Sequence, residues 1–233
     1  MNRRVLAIAL ALMLIVGIAG YPVTALAEDE IWYTVSISVT GNGGVWMNGD
    51  KFTSSLELKE NATGTIDIIP DTGYEVTHVY VDGVDQGRVR SYTFYNVQGN
   101  HSLKVVFSRI ITDEISDSVL RSKIRTALGN KPSDYAITEE DMLSLTVLDA
   151  QYYIGAEITD ISGLQYAENL EELYLNGNEI SDITHLAGLT KLKKLSLYNN
   201  NTLSDISPLA GLTNLTDLDL YNNHISDISA LSN

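Results

Sequence analysis

The sequence predicts an α/β solenoid, with a parallel concave sheet, a 3₁₀ or irregular convex side and a helical N-terminal cap, preceded by a small all-β domain. Three observations point there. Leucines return every 22 or 23 residues from Leu170 onward. Apolar and polar residues alternate between Trp32 and Ser108, and an apolar stripe at helical spacing lies between those two regions.

The first 27 residues read as a processing signal rather than structure. Arg3 and Arg4 make a positive start, Val5 to Gly20 is uncharged and apolar, and Pro22 breaks the run. Ala25-Leu26-Ala27 then supplies the small-x-small pattern of a cleavage site, and the acidic Glu28-Asp29-Glu30 follows as a mature N-terminus. The alternative is an uncleaved anchor, although the run is at the short end of the roughly 17–25 residues that span a bilayer. No later stretch is apolar enough to cross a membrane, so no insertion is expected after cleavage.

Composition narrows the function classes. The absence of cysteine permits export and excludes disulfide scaffolds, thiol nucleophiles and Cys-based zinc sites. The chain holds 15 basic and 30 acidic residues; without Arg3 and Arg4 the balance is 13 against 30, or −17. Such a surface repels phosphate backbones and anionic lipids, so nucleic acid is not expected as a partner. Basic protein patches and neutral glycans remain open.

Residues 28–109 carry the period of half-buried strands. Tyr33, Val35, Ile37 and Val39 share one face, Ile66 and Ile68 another, then Tyr92 and Phe94, then Leu103, Val105 and Phe107. Turn residues separate them at Gly41-Asn42-Gly43-Gly44, Asn48-Gly49-Asp50, Asp71-Thr72-Gly73, Asp82-Gly83 and Gly99-Asn100. The expectation is an all-β domain built mainly from hairpins. The stretches GNGGVWMNGD, IIPDTGYEVTHVYVDGV and SYTFYNVQGNHSLKVVF resemble the divergent B-repeat of internalin-type bacterial surface proteins. That resemblance implies an extracellular spacer or accessory module and brings no catalytic residue with it.

Residues 110–144 read as a helical segment. Asp117 is placed to cap a helix over Ser118 to Leu128, with Val119, Leu120, Ile124 and Leu128 on one stripe and Gly129 to stop it. Thr138-Glu139-Glu140-Asp141 has the form of a capping box, with Asp in place of Glu, opening a short helix through Met142 and Leu143. Directly before the repeats, such helices would close the open end of a solenoid core.

Residues 145–233 repeat. Leu170, Leu173, Leu175, Asn178, Ile180, Ile183, Leu186 and Leu189 define one unit, with equivalents beginning at Leu192 and Leu215. A degenerate first unit starts at Leu145, with a longer turn from Tyr152 to Glu157. This is the leucine-rich repeat pattern. Leu173 and Leu175 alternate as in a strand, whereas Ile180, Ile183, Leu186 and Leu189 recur every third residue, which fits 3₁₀ turns. Each buried Leu or Ile contributes roughly 1.5–3 kcal/mol, so stacked coils can offset a chain entropy that one coil cannot. NEISDITHLAGLTKLKKLSL and LSDISPLAGLTNLTDLDLYNNHISDISAL resemble the internalin subfamily of these repeats. The resemblance implies extracellular adhesion or ligand recognition on the concave sheet. No C-terminal cap follows Leu231, so Leu218, Leu220, Ile225 and Ile228 are expected at an exposed edge. Weak stability, edge-to-edge self-association or sequence continuing downstream would follow.

Candidate residues sort by what the repeat demands of them. Asn178, Asn200 and Asn223 recur where each strand turns away, and buried amides bonded to free backbone groups explain them. Asp160, Asp182, Asp205 and Asp227 would stack in a row about 5 Å apart. Such a row suits Ca²⁺, but a carboxylate accepting its own turn's N–H is the favoured reading. The concave positions alternating with leucine are the candidate ligand-binding residues: Glu172, Tyr174 and Asn176, then Lys194, Ser196 and Tyr198, then Asp217, Asp219 and Tyr221. Val147, Asp149 and Gln151 extend that surface.

No catalytic residues, metal ligands or cofactors are assigned. His78, His101, His185 and His224 are scattered, and no HExxH, GxSxG or P-loop pattern occurs. The expected function is non-enzymatic: a secreted or cell-surface protein binding an extracellular protein or glycan. The alternative is a structural spacer, or part of a longer surface protein, with no ligand of its own. No LPxTG-type sorting motif is present.

Overall fold

The computed structural model describes residues 30–152 and 157–232. The leader therefore lies outside the described residues, as do four residues of the long turn in the first repeat unit.

Nine strands occupy the N-terminal part: β1 (Trp32–Thr40), β2 (Gly43–Met47), β3 (Asp50–Phe52), β4 (Ser55–Lys59), β5 (Gly64–Pro70), β6 (Tyr74–Val81), β7 (Val84–Asp85), β8 (Ser91–Phe94) and β9 (His101–Arg109). They form two sheets, ordered β4-β1-β9-β6-β7 and β3-β2-β5-β8. The inward faces of both enclose one core of Val35, Val45, Leu56, Ile66, Val79, Phe94 and Val105, among others. Alternation decides which face is buried, as in Ser55–Lys59, where only the two leucines are inside.

Connectivity departs from the hairpin expectation. Among paired strands, two-residue turns join only β2 to β3, at Asn48-Gly49, and β6 to β7, at Asp82-Gly83; all four residues have positive φ, as primed turns require. The remaining neighbours are distant in sequence, and β1 runs parallel to β9, with Val35 opposite His101. A strand's pattern specifies its buried face but not its partner. Here the first and last strands fill the middle of a sheet, where both edges of each are hydrogen-bonded. The glycine-rich run after β1 has a packing cause. A Cβ on Gly43 would lie 2.6 Å from the Phe107 ring, and one on Gly41 would lie 2.0 Å from the Phe107 carbonyl oxygen.

The backbone continues from β9 without a free linker. Ile111 N donates to Ile137 O at 2.9 Å. Helix α1 (Ser118–Ala127) starts on Asp117, whose carboxylate accepts from Val119 N and Leu120 N at 2.8 and 2.9 Å. It ends one residue before the predicted Leu128, and Gly129 follows at φ 92°. Helix α2 (Glu139–Ser144) carries the reciprocal box between Thr138 and Asp141. Leu120, Ile124, Ile137 and Met142 join the same core as the repeat leucines.

The repeats form a leucine-rich repeat solenoid. Strands β10 (Val147–Asp149), β11 (Glu172–Tyr174), β12 (Lys194–Ser196) and β13 (Asp217–Asp219) make one parallel sheet. Leu148, Leu173, Leu195 and Leu218 stand in register across it. Opposite each strand lies a 3₁₀ turn: Leu164–Tyr166, Thr184–Leu186, Ser207–Gly211 and Ser229–Leu231. Leucines from both sides fill the space between, and Leu173, Leu175, Leu186, Leu189 and Leu197 are wholly buried. In the last described coil Leu218, Leu220 and Ile225 are only partly buried, and Ile228 is 67% exposed.

Candidate functional site

An asparagine ladder links neighbouring coils beside the sheet. The Asn178 side chain accepts from Ile158 N at 2.9 Å and donates to Ala150 O and Leu175 O. Asn200 repeats this with Ile180 N, Leu175 O and Leu197 O. Asn223 does so with Asn200 N, Leu197 O and Leu220 O. Each amide thus ties a strand exit to the coil before it, using groups that no sheet partner reaches.

The register sorts the outward residues into rows. Val147, Glu172, Lys194 and Asp217 form the first, and Asp149, Tyr174, Ser196 and Asp219 the second. Backbone bonds from Gly177 N to Tyr198 O and from Asn199 N to Tyr221 O align Asn176, Tyr198 and Tyr221 in a third. The three candidate tyrosines therefore do not make one stripe. Tyr198 and Tyr221 are lateral neighbours, whereas Tyr174 sits a row away beside Ser196.

Charges on the first two rows are partly internal to the site. Glu172 accepts from Tyr174 OH at 2.7 Å and faces Lys194 Nζ at 2.9 Å. The Lys194 ammonium, then the tyrosine hydroxyl, lower the Glu172 pKa. The same contacts raise those of Lys194 and Tyr174, because both protonated forms donate to the carboxylate. Asp219 Oδ1 accepts from Tyr221 N at 3.0 Å, and Asp149 is bonded to Gln151. With Glu172 matched to Lys194, exposed Asp149, Asp217 and Asp219 leave the face negative.

Asn176 requires a correction. It was expected on the open face, yet it is only 5% exposed. Its Nδ2 donates to Gln151 Oε1 at 3.0 Å, and Tyr152 packs against the neighbouring Gly177. Gln151 and Tyr152 of the irregular first unit thus cover it. Sequence reasoning also passed over the residues beside the tyrosine pair. Asn199 and Asn222 both take positive φ, and Asn222 Nδ2 donates to Asn199 Oδ1 at 2.7 Å. The repeated Tyr-Asn-Asn was their signal.

On the convex side each aspartate binds its own turn. Oδ1 of Asp160, Asp182, Asp205 and Asp227 accepts from the backbone N–H two residues on, at 2.7–2.8 Å. These bonds support the local reading of the row. Among the described residues no group of three or more His, Cys, Asp or Glu is placed to hold a metal ion.

Comparison with known proteins agrees with this geometry. The family model for leucine-rich repeats in two copies matches residues 168–211 and 190–233. A crystal structure of the internalin InlF from Listeria monocytogenes is 39% identical, with a TM-score of 0.50, over 54% of this chain and 36% of that one. The internalin InlC2 of the same organism is 30% identical, with a TM-score of 0.40, over 52% of this chain and 62% of that one. The functional domain of its InlJ, which includes a cysteine ladder, is 26% identical over 53% of this chain and 26% of that one, with a TM-score of 0.46. The chain thus spans about a third of the InlF length and less than two thirds of the others. No curated protein sequence matches it. The shared repeat spacing, parallel register and structural likeness make the chain an internalin-like bacterial leucine-rich repeat protein.

Proposed function

We propose that the chain is a secreted or cell-surface binding protein that recognises an extracellular protein through its concave sheet. The observation that carries this reading is the tyrosine pair on adjacent coils: Tyr198 is 39% and Tyr221 79% exposed. Two flat apolar rings with polar tips on a rigid backbone form an anchor with little ordering entropy to lose. The aspartates around them favour a basic patch on the partner. A neutral glycan is the second reading, favoured by Ser196, Asn199 and Asn222 beside the rings.

In this reading residues 1–27 direct export, 28–109 act as a B-repeat-like spacer, 110–144 cap the solenoid and 145–233 carry the binding face. The protein works without catalysis, since the face is open and general acid–base chemistry needs a water-excluding cleft. Among the described residues no helix is long and apolar enough to cross a membrane.

The experiment is binding of the full chain to panels of extracellular proteins and glycans, followed by Tyr198→Ala and Tyr221→Ala. Each substitution is expected to weaken binding by roughly 1–2 kcal/mol, with Tyr174→Ala having less effect. A ligand whose affinity survives the double substitution would place recognition elsewhere.

A further inference from the structure

A second surface stands out against the protein's acidity. Residues 118–133 hold four cations, Arg121, Lys123, Arg125 and Lys131, and no acid. Arg121 and Arg125 lie one turn apart on α1, beside the stripe in which Leu120 and Ile124 face the core. Together with Lys131 they line an open groove of about 610 Å³, whose one acidic lining residue is Asp113. Ser122, Asn130 and Ser133 add hydroxyl and amide groups to it.

Among the described residues the partners of Arg121, Arg125 and Lys131 are uncharged. Arg121 Nη1 donates to Ile115 O at 2.5 Å and Ser116 O at 3.2 Å. Arg125 donates to Tyr135 O through Nε and Nη2 at 3.3 and 3.1 Å, and Lys131 Nζ lies 5.3 Å from the centroid of the Tyr135 ring. Elsewhere Lys51 and Lys104 meet aromatic rings and Lys191 an amide, while Arg88, Arg90, Arg109, Lys193 and Lys194 each face a carboxylate within 2.9 Å. Among the described residues Arg121, Arg125 and Lys131 do not. Carbonyls orient both guanidinium groups without neutralising them, and each keeps unused N–H donors from its set of five. A planar donor fork held in place before binding is the arrangement that recognises an oxyanion.

We propose that this groove binds a short anionic saccharide. Arg121, Arg125 and Lys131 take its sulfate or phosphate ester, and Ser122, Asn130 and Ser133 meet its hydroxyls. The groove falls in the range of roughly 300–1,000 Å³ typical of organic ligands and exceeds what one inorganic anion fills. The chain's net charge of −15 opposes long polyanions, which confines the ligand to a short one. This site is separate from the concave face, so the two readings can fail independently.

The test is isothermal titration of the full chain at low ionic strength with a sulfated disaccharide, its desulfated form and inorganic sulfate. The sulfated sugar is expected to bind most tightly, with affinity falling as salt is added. Arg121→Gln with Arg125→Gln should weaken it by roughly a hundredfold, about tenfold for each charge-assisted pair. Arg121→Lys with Arg125→Lys, which keeps the charge and loses the fork, should give an intermediate loss. Lys59→Gln, remote in the β-domain, should leave affinity unchanged. Helical circular dichroism of each variant identifies any loss that reflects unfolding. Absence of binding, equal affinity for the desulfated sugar or inorganic sulfate, or wild-type affinity in the Gln double variant would overturn the proposal.

Discussion

The side-chain amide of Asn200 donates to the Leu175 carbonyl of the preceding coil at 3.1 Å. It also donates to Leu197 O in its own coil, while its oxygen accepts from Ile180 N. One wholly buried residue therefore satisfies three backbone groups that the sheet leaves over. Asn200→Ala is expected to destabilise the protein by about 1–3 kcal/mol, since it strands the Ile180 N–H away from water, while Leu175 O and Leu197 O keep their bonds from Asn178 and Asn223. Urea denaturation of the full chain checks this; a change below roughly 0.5 kcal/mol would show that water replaces the amide.

Asp141 is the second point of concentration. Its carboxylate accepts from Arg88 at 2.6 Å, Tyr135 OH at 3.0 Å and Thr138 N at 2.9 Å. It joins the β-domain to the cap helix with its side chain only 11% exposed. Asp141→Ala is expected to lower stability by about 2–3 kcal/mol. Arg109 bridges the same joint to Glu139 at 2.6 Å, but both side chains are over a third exposed, so Arg109→Ala should change stability by less than about 1 kcal/mol. Equal effects of the two substitutions would remove burial as the deciding variable.

Alkaline titration reports on Tyr135. Burial first, and then the Asp141 charge, push its pKa from 10.0 up to about 12. The folded state thus holds the phenolic proton longer than the unfolded state. The contribution is complete below about pH 10 and is lost as pH rises towards about 12. Ultraviolet difference spectra should show late-titrating tyrosine absorbance that Tyr135→Phe reduces, the remainder belonging to Tyr174, which its bond to Glu172 also raises.

Acid acts in the opposite sense. Asp160 is lowered chiefly by the Ser116 hydroxyl, and Asp182 and Asp227 chiefly by backbone N–H groups of their own turns. A depressed folded pKa stabilises above the unfolded value of 3.8 and is lost as pH falls through the folded one. The melting temperature should therefore decline shallowly below about pH 4, and less in Asp182→Asn than in the parent.

Calcium should have no effect on the same melts. Each convex aspartate already accepts a backbone N–H, and among the described residues no group of three or more His, Cys, Asp or Glu is placed to hold a metal ion. A rise in melting temperature with added Ca²⁺, reversed by chelator, would contradict the local role of the row.

How far the sequence could be read differs between the two parts. In the solenoid nearly every structural position was legible. Leu173, Asn178 and Ile183 mark a coil whose contacts are with the next coil, one period away, so spacing alone predicts them. In the β-domain Asn48-Gly49 and Asp82-Gly83 were legible because φ > 0 limits which residues a turn accepts. The pairing of β1 with β9 was not, since Val35 and His101 carry no mark of each other.

The candidate site divides the same way. Alternation identified Tyr174, Tyr198 and Tyr221 as outward-facing but did not show that only the last two adjoin. It also could not show that Gln151 folds over Asn176. Local periodicity and turn chemistry are properties of neighbouring residues, so the chain alone settled the coil, the caps and the faces. Strand order, row alignment and the covering of Asn176 depend on which distant surfaces meet, and only packing in three dimensions selects among those encounters.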